Sequence, residues 1–331
     1  MSKIDFDKLF DGFSNIKAGV IGDVMLDIYW WGHVERISPE APVPVVALDK
    51  KEHRIGGAGN VALNLAALGA QVSILSVMGN DENGGTLIDL FNEHEINTAW
   101  IAQQPSRITT AKTRIISRNQ QMMRLDAEIT KDLSVNDENA LIEKVRQYIT
   151  TEQPQVIIFE DYNKGVLTER VIKEVTALCK QHGVITTVDP KRKNFFSYQG
   201  VDIFKPNLKE VKDGLNLLIE EVNLATLNDI HKELQKKLSH SISFITLSEK
   251  GVFYQENSTA KIIPSHLRNI ADVSGAGDTV IAVASLIYAA TRRIDLMAEV
   301  ANIAGGLVCE EVGTAAVNRE RLLNECKELL S

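Results

Sequence analysis

The segment Asp272-Val-Ser-Gly-Ala-Gly-Asp278-Thr279 runs directly into the apolar stretch VIAVASLIYAA. Small residues permit a tight turn whose backbone N–H groups point one way, and the following helix adds its positive N-terminal end. The amides of Gly275, Ala276 and Gly277 are thereby placed to form an anion hole for a phosphoryl group in transfer. Asp278, set among those donors, is a carboxylate able to take the proton of an attacking hydroxyl. Without that chemistry the same segment is a Gly-rich helix start, with Asp278 an N-terminal carboxylate favoured by the macrodipole. A second cluster, Gly56-Gly57-Ala58-Gly59-Asn60, leads into VALNLAALG. Glycine here allows close backbone approach, and the Asn60 amide can bond sugar hydroxyls, although a plain turn into an Ala/Leu helix has the same look. Neither cluster is GxGxxG with an acidic ribose reader or GxxxxGK[ST], so a dehydrogenase and a P-loop ATPase both lack their motif.

Those residues need elements to carry them. Solid β-branched runs at Lys17–Asp23, Val72–Val77, Gln155–Asp161, Val184–Asp189, Asp202–Phe204 and Ile242–Leu247 read as parallel strands covered on both faces. Helical patterns lie between them near 59–68, 84–95, 136–150, 168–182, 207–216 and 222–239, and 275–330 is mostly helical. This alternation predicts an α/β fold: a doubly wound, mainly parallel sheet with helices on both faces. Segments 27–51 and 96–123 break the rhythm and read as β-hairpins forming a small lid on one core domain that spans 1–331. Ligands of open α/β sheets sit beyond the carboxyl ends of the strands. Asp23, Asp161, Asp189, Asn207 and Ser248 all fall there, which predicts a polar-lined crevice.

Composition narrows the function classes. Among 331 residues, 44% are apolar and 24% charged, an ordinary globular balance that excludes a disordered chain or a disulfide scaffold. A net charge of −8 argues against nucleic acid or a membrane surface as the main partner. The first residues lack a signal-peptide h-region, and Val280–Ala290 is too short to span a bilayer. Cys179, Cys309 and Cys326 form no CxxC, so three reduced thiols in a cytoplasmic protein are expected.

The two Gly-rich clusters, in this order and roughly 215 residues apart, resemble the paired signatures of the PfkB/ribokinase family of carbohydrate kinases. Val273 stands where threonine is commoner. The resemblance covers essentially the whole chain. It implies a ribokinase-like fold, ATP-dependent phosphorylation of a sugar hydroxyl with Mg2+, and a β lid that often forms a dimer clasp. Asn207-Leu-Lys-Glu210 looks like the family's N-x-x-E motif, which helps order magnesium and phosphates. Ser248-Glu249-Lys250-Gly251 looks like its ATP loop. Asn302, Gly305 and Val308 would line an adenine slot, Lys191 would meet an ATP phosphate, and Asp272 with Ser274 would flank a monovalent cation such as K+. Further stretches narrow the branch: Gly22-Asp23-Val-Met-Leu-Asp27, Arg36–Pro44, Arg118-Asn-Gln-Gln121 with Arg124-Leu-Asp126, and Asp161-Tyr-Asn-Lys-Gly165. They are similar to the kinase half of bacterial ADP-heptose synthesis enzymes, which phosphorylate D-glycero-β-D-manno-heptose 7-phosphate at O1. No HxGH motif of a nucleotidyltransferase follows, so a stand-alone kinase is expected. Another sugar or a fructose- or tagatose-phosphate type of substrate is the alternative.

From Ile96 to Leu125 the chain has no Asp or Glu but carries Arg107, Lys112, Arg114, Arg118 and Arg124. Guanidinium forks hold a phosphate dianion bidentately. Strand alternation would put Lys112, Arg114, Arg118 and Arg124 on one face if the register is unbroken, as candidates for the substrate's phosphate tail. Asp23, Asp27 and Asp161 are suited to sugar hydroxyls, Lys164 to phosphate, and Gly56, Gly57 and Asn60 to the sugar-binding signature.

Overall fold

The computed structural model describes residues 4–118, 120–219, 221–266 and 268–330. Strands are β1 Lys17–Gly22, β2 Val24–Ile37, β3 Pro44–Gly57, β4 Gln71–Gly79, β5 Ile101–Gln104, β6 Thr110–Ser117, β7 Gln120–Ala127, β8 Val156–Glu160, β9 Ile185–Asp189, β10 Ile203–Phe204, β11 Ile242–Thr246, β12 Val252–Glu256 and β13 Thr259–Ile263. Helices are α1 Phe6–Asp11, α2 Ala58–Ala67, α3 Glu82–Glu93, α4 Val135–Glu152, α5 Glu169–His182, α6 Leu208–Leu215, α7 Leu224–Leu238, α8 Ala276–Thr291, α9 Ile294–Val308 and α10 Arg319–Leu330.

Nine strands form the main sheet in the order β13-β12-β11-β10-β9-β8-β1-β4-β5, all parallel except β12, which runs antiparallel to both β11 and β13. Its strands are apolar on both sides because both sides are covered. Val20, Ile158 and Phe244 pack with α2, α8 and α9 on one face. Ile21, Ile157, Phe159 and Ile245 pack with α4, α5 and α7 on the other. The chain leaves β1 toward β4 on one side and returns through β8 on the other. The gap between β1 and β8 is therefore the switch point at which the flanking loops part and a crevice opens.

The lid is a separate sheet ordered β3-β2-β6-β7. Both excursions expected from the sequence are there, with altered bounds. Ile101–Gln104 belongs to the main sheet as an edge strand on β4, not to the lid. The second lid hairpin begins only at Thr110. The four-residue strand is half polar (IAQQ) and its partner is distant in sequence, so nothing local distinguishes it from a loop. The lid strand β3 continues straight into Gly56 and Gly57, which ties the first Gly cluster to the lid.

Candidate active site

Asp278 occupies the first turn of α8 and is buried. Gly275 caps the helix with a left-handed φ of 78°, a conformation that favours glycine. The first helical hydrogen bond runs from Thr279 N–H to the Gly275 carbonyl, so the amides of Gly277 and Asp278 have no partner within the helix. Ala276 differs from the expectation, because its N–H turns back to the Val273 carbonyl at 3.3 Å. Gly277 sits directly beside the buried charge group: an added Cβ would be in ordinary contact with Asp189 Oδ2 at 3.6 Å and Lys205 Nζ at 3.8 Å.

Each oxygen of the Asp278 carboxylate accepts one hydrogen bond. Asn60 Nδ2 donates to Oδ2 and the Tyr162 hydroxyl to Oδ1, both at 2.7 Å. Asn60 and Asn64 lie one turn apart on α2, and the Thr279 hydroxyl donates to Asn64 Oδ1 at 3.1 Å, so α2 pins the start of α8 at two points. Burial pushes the pKa of Asp278 up to about 6, with the Asn60 and Tyr162 hydrogen bonds pulling the other way and Asp189 adding to the rise. A carboxylate so poised is ionised near neutrality and still basic enough to accept a hydroxyl proton.

Beneath it stands a group of alternating charge. Glu160, Asp189 and Asp278 offer oxygens within 4.8 Å of one another. Asp189 is bracketed by Lys205 Nζ at 2.8 Å on Oδ2 and Lys191 Nζ at 3.2 Å on Oδ1. Its burial opposes ionisation, but the two ammonium groups win and hold it below the usual carboxylate range. Glu160 is fully buried with no hydrogen-bond partner on either oxygen. Burial, then the charges of Asp189 and Asp278, push its pKa well up. Lys191 also reaches Glu210 Oε1 at 3.0 Å, and these carboxylates outweigh burial and raise its pKa.

Several residues expected at the substrate are engaged elsewhere. Asp23 accepts three amides of the loop after β8, those of Tyr162, Lys164 and Val166, each at 3.0 Å. It is the fastener that fixes this loop across the switch point. Asp161 is buried against Tyr198, whose hydroxyl donates to it at 2.9 Å. Burial and then Asp23 raise its pKa to about 6. The amino group of Asn60 is spent on Asp278, while its Oδ1 is buried without a partner. Gly56 and Gly57 serve close packing: an added Cβ would meet Asp27 Oδ2 at 2.6 Å and the Asp23 carbonyl at 2.4 Å respectively.

Asp27 lies on the crevice face of the lid, bonded to Arg114 Nη1 at 2.7 Å. Strand register sets Lys112 beside Asp27 and opposite Asp126, and Arg114 opposite Arg124, so Lys112, Arg114 and Arg124 share that face. Arg118 does not join them. The register shifts between Ile115 and Ile116, and Arg118 turns at the outer end of the lid with φ 48°. Asn119, within the quoted Arg118–Gln121 motif, lies outside the described residues. The cations are also answered by acids just past the acid-free window. Arg124 pairs with Asp126 at 2.8 Å and Lys164 with Glu128 at 2.7 Å, and Lys112 lies 3.5 Å from Asp126.

At the far end, Asn207 and Glu210 form a capping box at the start of α6, each accepting the other's backbone N–H at 2.8 Å. Ser248 and Glu249 lie in an exposed turn closed by Gly251, where φ is 91° and a Cβ would come within 2.0 Å of the Ile263 carbonyl. Asn302 donates to the Pro264 carbonyl at 2.9 Å. Gly305 is a close-packing point: a Cβ would strike Val280 at 2.6 Å, and Val308 is buried. Asp272 accepts from Ser274 Oγ at 2.8 Å and from Gly313 N–H at 3.0 Å, joining two loops. Tyr162, Glu160, Lys205 and Arg54 were not legible as site residues. Arg54 stacks on Tyr29 with its Cζ 4.8 Å from the ring centroid, on the crevice face of the lid.

With this geometry in hand, comparison with known proteins is decisive on the family. The description "pfkB family carbohydrate kinase" matches residues 16–321. The chain belongs to the pfkB family of carbohydrate kinases. This sugar kinase is 40% identical over 329 residues to the bifunctional protein HldE of Geotalea uraniireducens, covering 98% of the chain and 66% of that protein. It is 39% identical to the bifunctional protein HldE of Trichlorobacter lovleyi, covering 96% and 64%. The kinase thus spans about two thirds of the length of these curated relatives. Its fold is that of phosphofructokinase-2 from Escherichia coli in complex with potassium (TM-score 0.77, 16% identity, covering 96% of this chain and 100% of that one). Arabidopsis thaliana ribokinase, complexed with ribose and ATP, has the same fold (TM-score 0.71, 16% identity, 93% and 98% covered). Among the described residues no helix is long and apolar enough to cross a membrane.

Proposed function

We propose that this kinase transfers the γ-phosphoryl group of Mg-ATP to O1 of D-glycero-β-D-manno-heptose 7-phosphate, giving the 1,7-bisphosphate. The observation that carries the reading is Asp278, buried at the first turn of α8 with a donor on each oxygen and the free first-turn amides alongside. The anomeric hydroxyl gives its proton to Asp278 as its oxygen attacks the γ-phosphorus in line. The amides of Gly275, Gly277 and Asp278 meet the equatorial oxygens, where charge builds up. Lys191 and Lys205 offset the charge of Asp189 beneath the same space. Mg2+ arrives with the nucleotide. Both oxygens of Glu210 are already engaged, by Lys191 and by the Asn207 amide, so Glu210 would reach the ion through water. The nucleotide would extend past Ser248, Glu249 and Gly251 toward Asn302. A K+ ion beside Asp272 and Ser274 would replace the hydrogen bonds that now join them.

The choice of a phosphorylated heptose rests on the motifs shared with the ADP-heptose branch, on the HldE relatives, and on the crevice face of the lid. There Lys112, Arg114 and Arg124 share a face, Lys112 and Lys164 meet at Glu128, and these cations can exchange their carboxylate partners for a phosphate dianion. Asp27 and the space beside Asn60 face the sugar. The lid also exposes Ile37, Val43, Leu48, Met122, Met123 and Leu125, an apolar set that a second copy would cover in a lid-mediated homodimer. The test is mass-spectrometric product detection with ATP, Mg2+ and a panel of sugar 7-, 6- and 1-phosphates. A bisphosphate formed preferentially from the heptose 7-phosphate supports the reading. Preference for a hexose phosphate refutes it and assigns the fructose- or tagatose-phosphate type instead.

A further inference from the structure

Tyr162 is fixed from three directions. Its backbone N–H donates to Asp23 Oδ2 at 3.0 Å. Its hydroxyl donates to Asp278 Oδ1 at 2.7 Å. Its ring lies under Lys191, whose Nζ is 5.6 Å from the ring centroid. Asp23 is itself saturated by loop amides, and Lys191 is held between Asp189 and Glu210, so none of the three contacts is loose.

A carboxylate on a first helical turn has two torsions to fix. The Asn60 bond to Oδ2 anchors one oxygen and leaves the carboxylate free to swing about it. A second donor on Oδ1, approaching from a different element, fixes the plane. We infer that Tyr162 is the positioning residue for Asp278: its hydroxyl orients the carboxylate toward the crevice and ties that orientation to the lysine at the nucleotide end. Each carboxylate oxygen has two acceptor sites, so Tyr162 leaves one on Oδ1 for a substrate hydroxyl. This inference rests on the reading of Asp278 as proton acceptor.

The groups facing Asp278 are Asn60 from α2, Tyr162 from the loop after β8, Glu160 at the end of β8, and Asp189 and Lys191 at the end of β9. Lys205 reaches Asp189 from beyond β10. Replacing Tyr162 with Phe removes one donor to the ionised form and leaves every other group, the ring and its Lys191 contact in place.

The experiment uses the full chain with Tyr162→Phe, and Asp278→Asn in parallel. It measures kcat and KM for sugar phosphate and for ATP across about pH 5–9, with the melting temperature. The expected result is a fall in kcat of ~10-fold or more with KM for ATP within about twofold. The acid limb of kcat/KM should also move upward by about half a pH unit or more, because a hydrogen bond to the charged form is lost. Wild-type kcat with an unmoved acid limb overturns the inference, whatever happens to the melting temperature. Full turnover by Asp278→Asn would instead overturn the proton-acceptor reading, and this inference with it.

Discussion

Lys205→Met is the sharpest probe of the buried charge group. Lys205 is 2% exposed, and among the described residues its one ion-pair partner is Asp189, 2.8 Å away and also buried. Methionine fills nearly the same volume, so packing changes little. What changes is charge: Asp189 keeps Lys191 on Oδ1 but loses the ammonium on Oδ2, in the company of Glu160. Removing one partner of a buried pair costs about 3–5 kcal/mol, because the other charge stays desolvated. That is a large share of the roughly 5–15 kcal/mol that holds a folded domain together. Replacing both partners should cost far less, since no stranded charge remains. The assay is urea unfolding of the wild type, Lys205→Met, Asp189→Asn and the double variant at pH 7.5, read as a double-mutant cycle. The account expects both single variants to be less stable than the wild type, with the double variant recovering about 2 kcal/mol or more of the summed single losses. A loss under about 1 kcal/mol for Lys205→Met, or no recovery in the double variant, would refute the claim that Lys205 is there to neutralise Asp189.

Two further outcomes follow from other parts of the structure. His231 and His240 share the Ser243 hydroxyl at 2.8 and 2.6 Å in a buried spot, and burial lowers both pKa values, that of His240 to about 3. A folded pKa below the unfolded 6.5 means stability is intact above pH 6.5 and is lost as pH falls toward 3. His240→Leu should therefore lose up to about 2 kcal/mol less than the wild type between pH 6.5 and 5, measured by urea midpoints; an equal loss contradicts this. Gly251→Ala puts a Cβ against the Ile263 carbonyl at a φ of 91°, so it should lower stability by about 1–3 kcal/mol and raise KM for ATP more than KM for the sugar. Unchanged thermal stability would show that the turn relaxes freely.

The sheet was legible because its strands are buried on both faces and therefore read as unbroken apolar runs such as VIIFE and ISFIT. The Gly-rich start of α8 was legible because tight turns restrict residue type. The division of labour among carboxylates was not. Asp23 and Asp27 look alike in sequence, yet one is saturated by three loop amides and the other faces an arginine on the lid. Arg118 was grouped with Arg114 on strand alternation, and a single register shift at Ile115/Ile116 breaks that grouping. The basic window looked unopposed because Asp126 and Glu128, which answer it, begin one residue beyond its end. Glu160 and Lys205 were hidden because a single charge at the end of an apolar run looks like a strand terminus. Only the third dimension shows them meeting around Asp189.

The most direct test of the central claim is the turnover of Asp278→Asn, which keeps the shape of the side chain and removes its capacity to take a proton. The account predicts a folded protein that binds ATP with near wild-type affinity and loses about 10²-fold or more in kcat. Near wild-type kcat in that variant would contradict it.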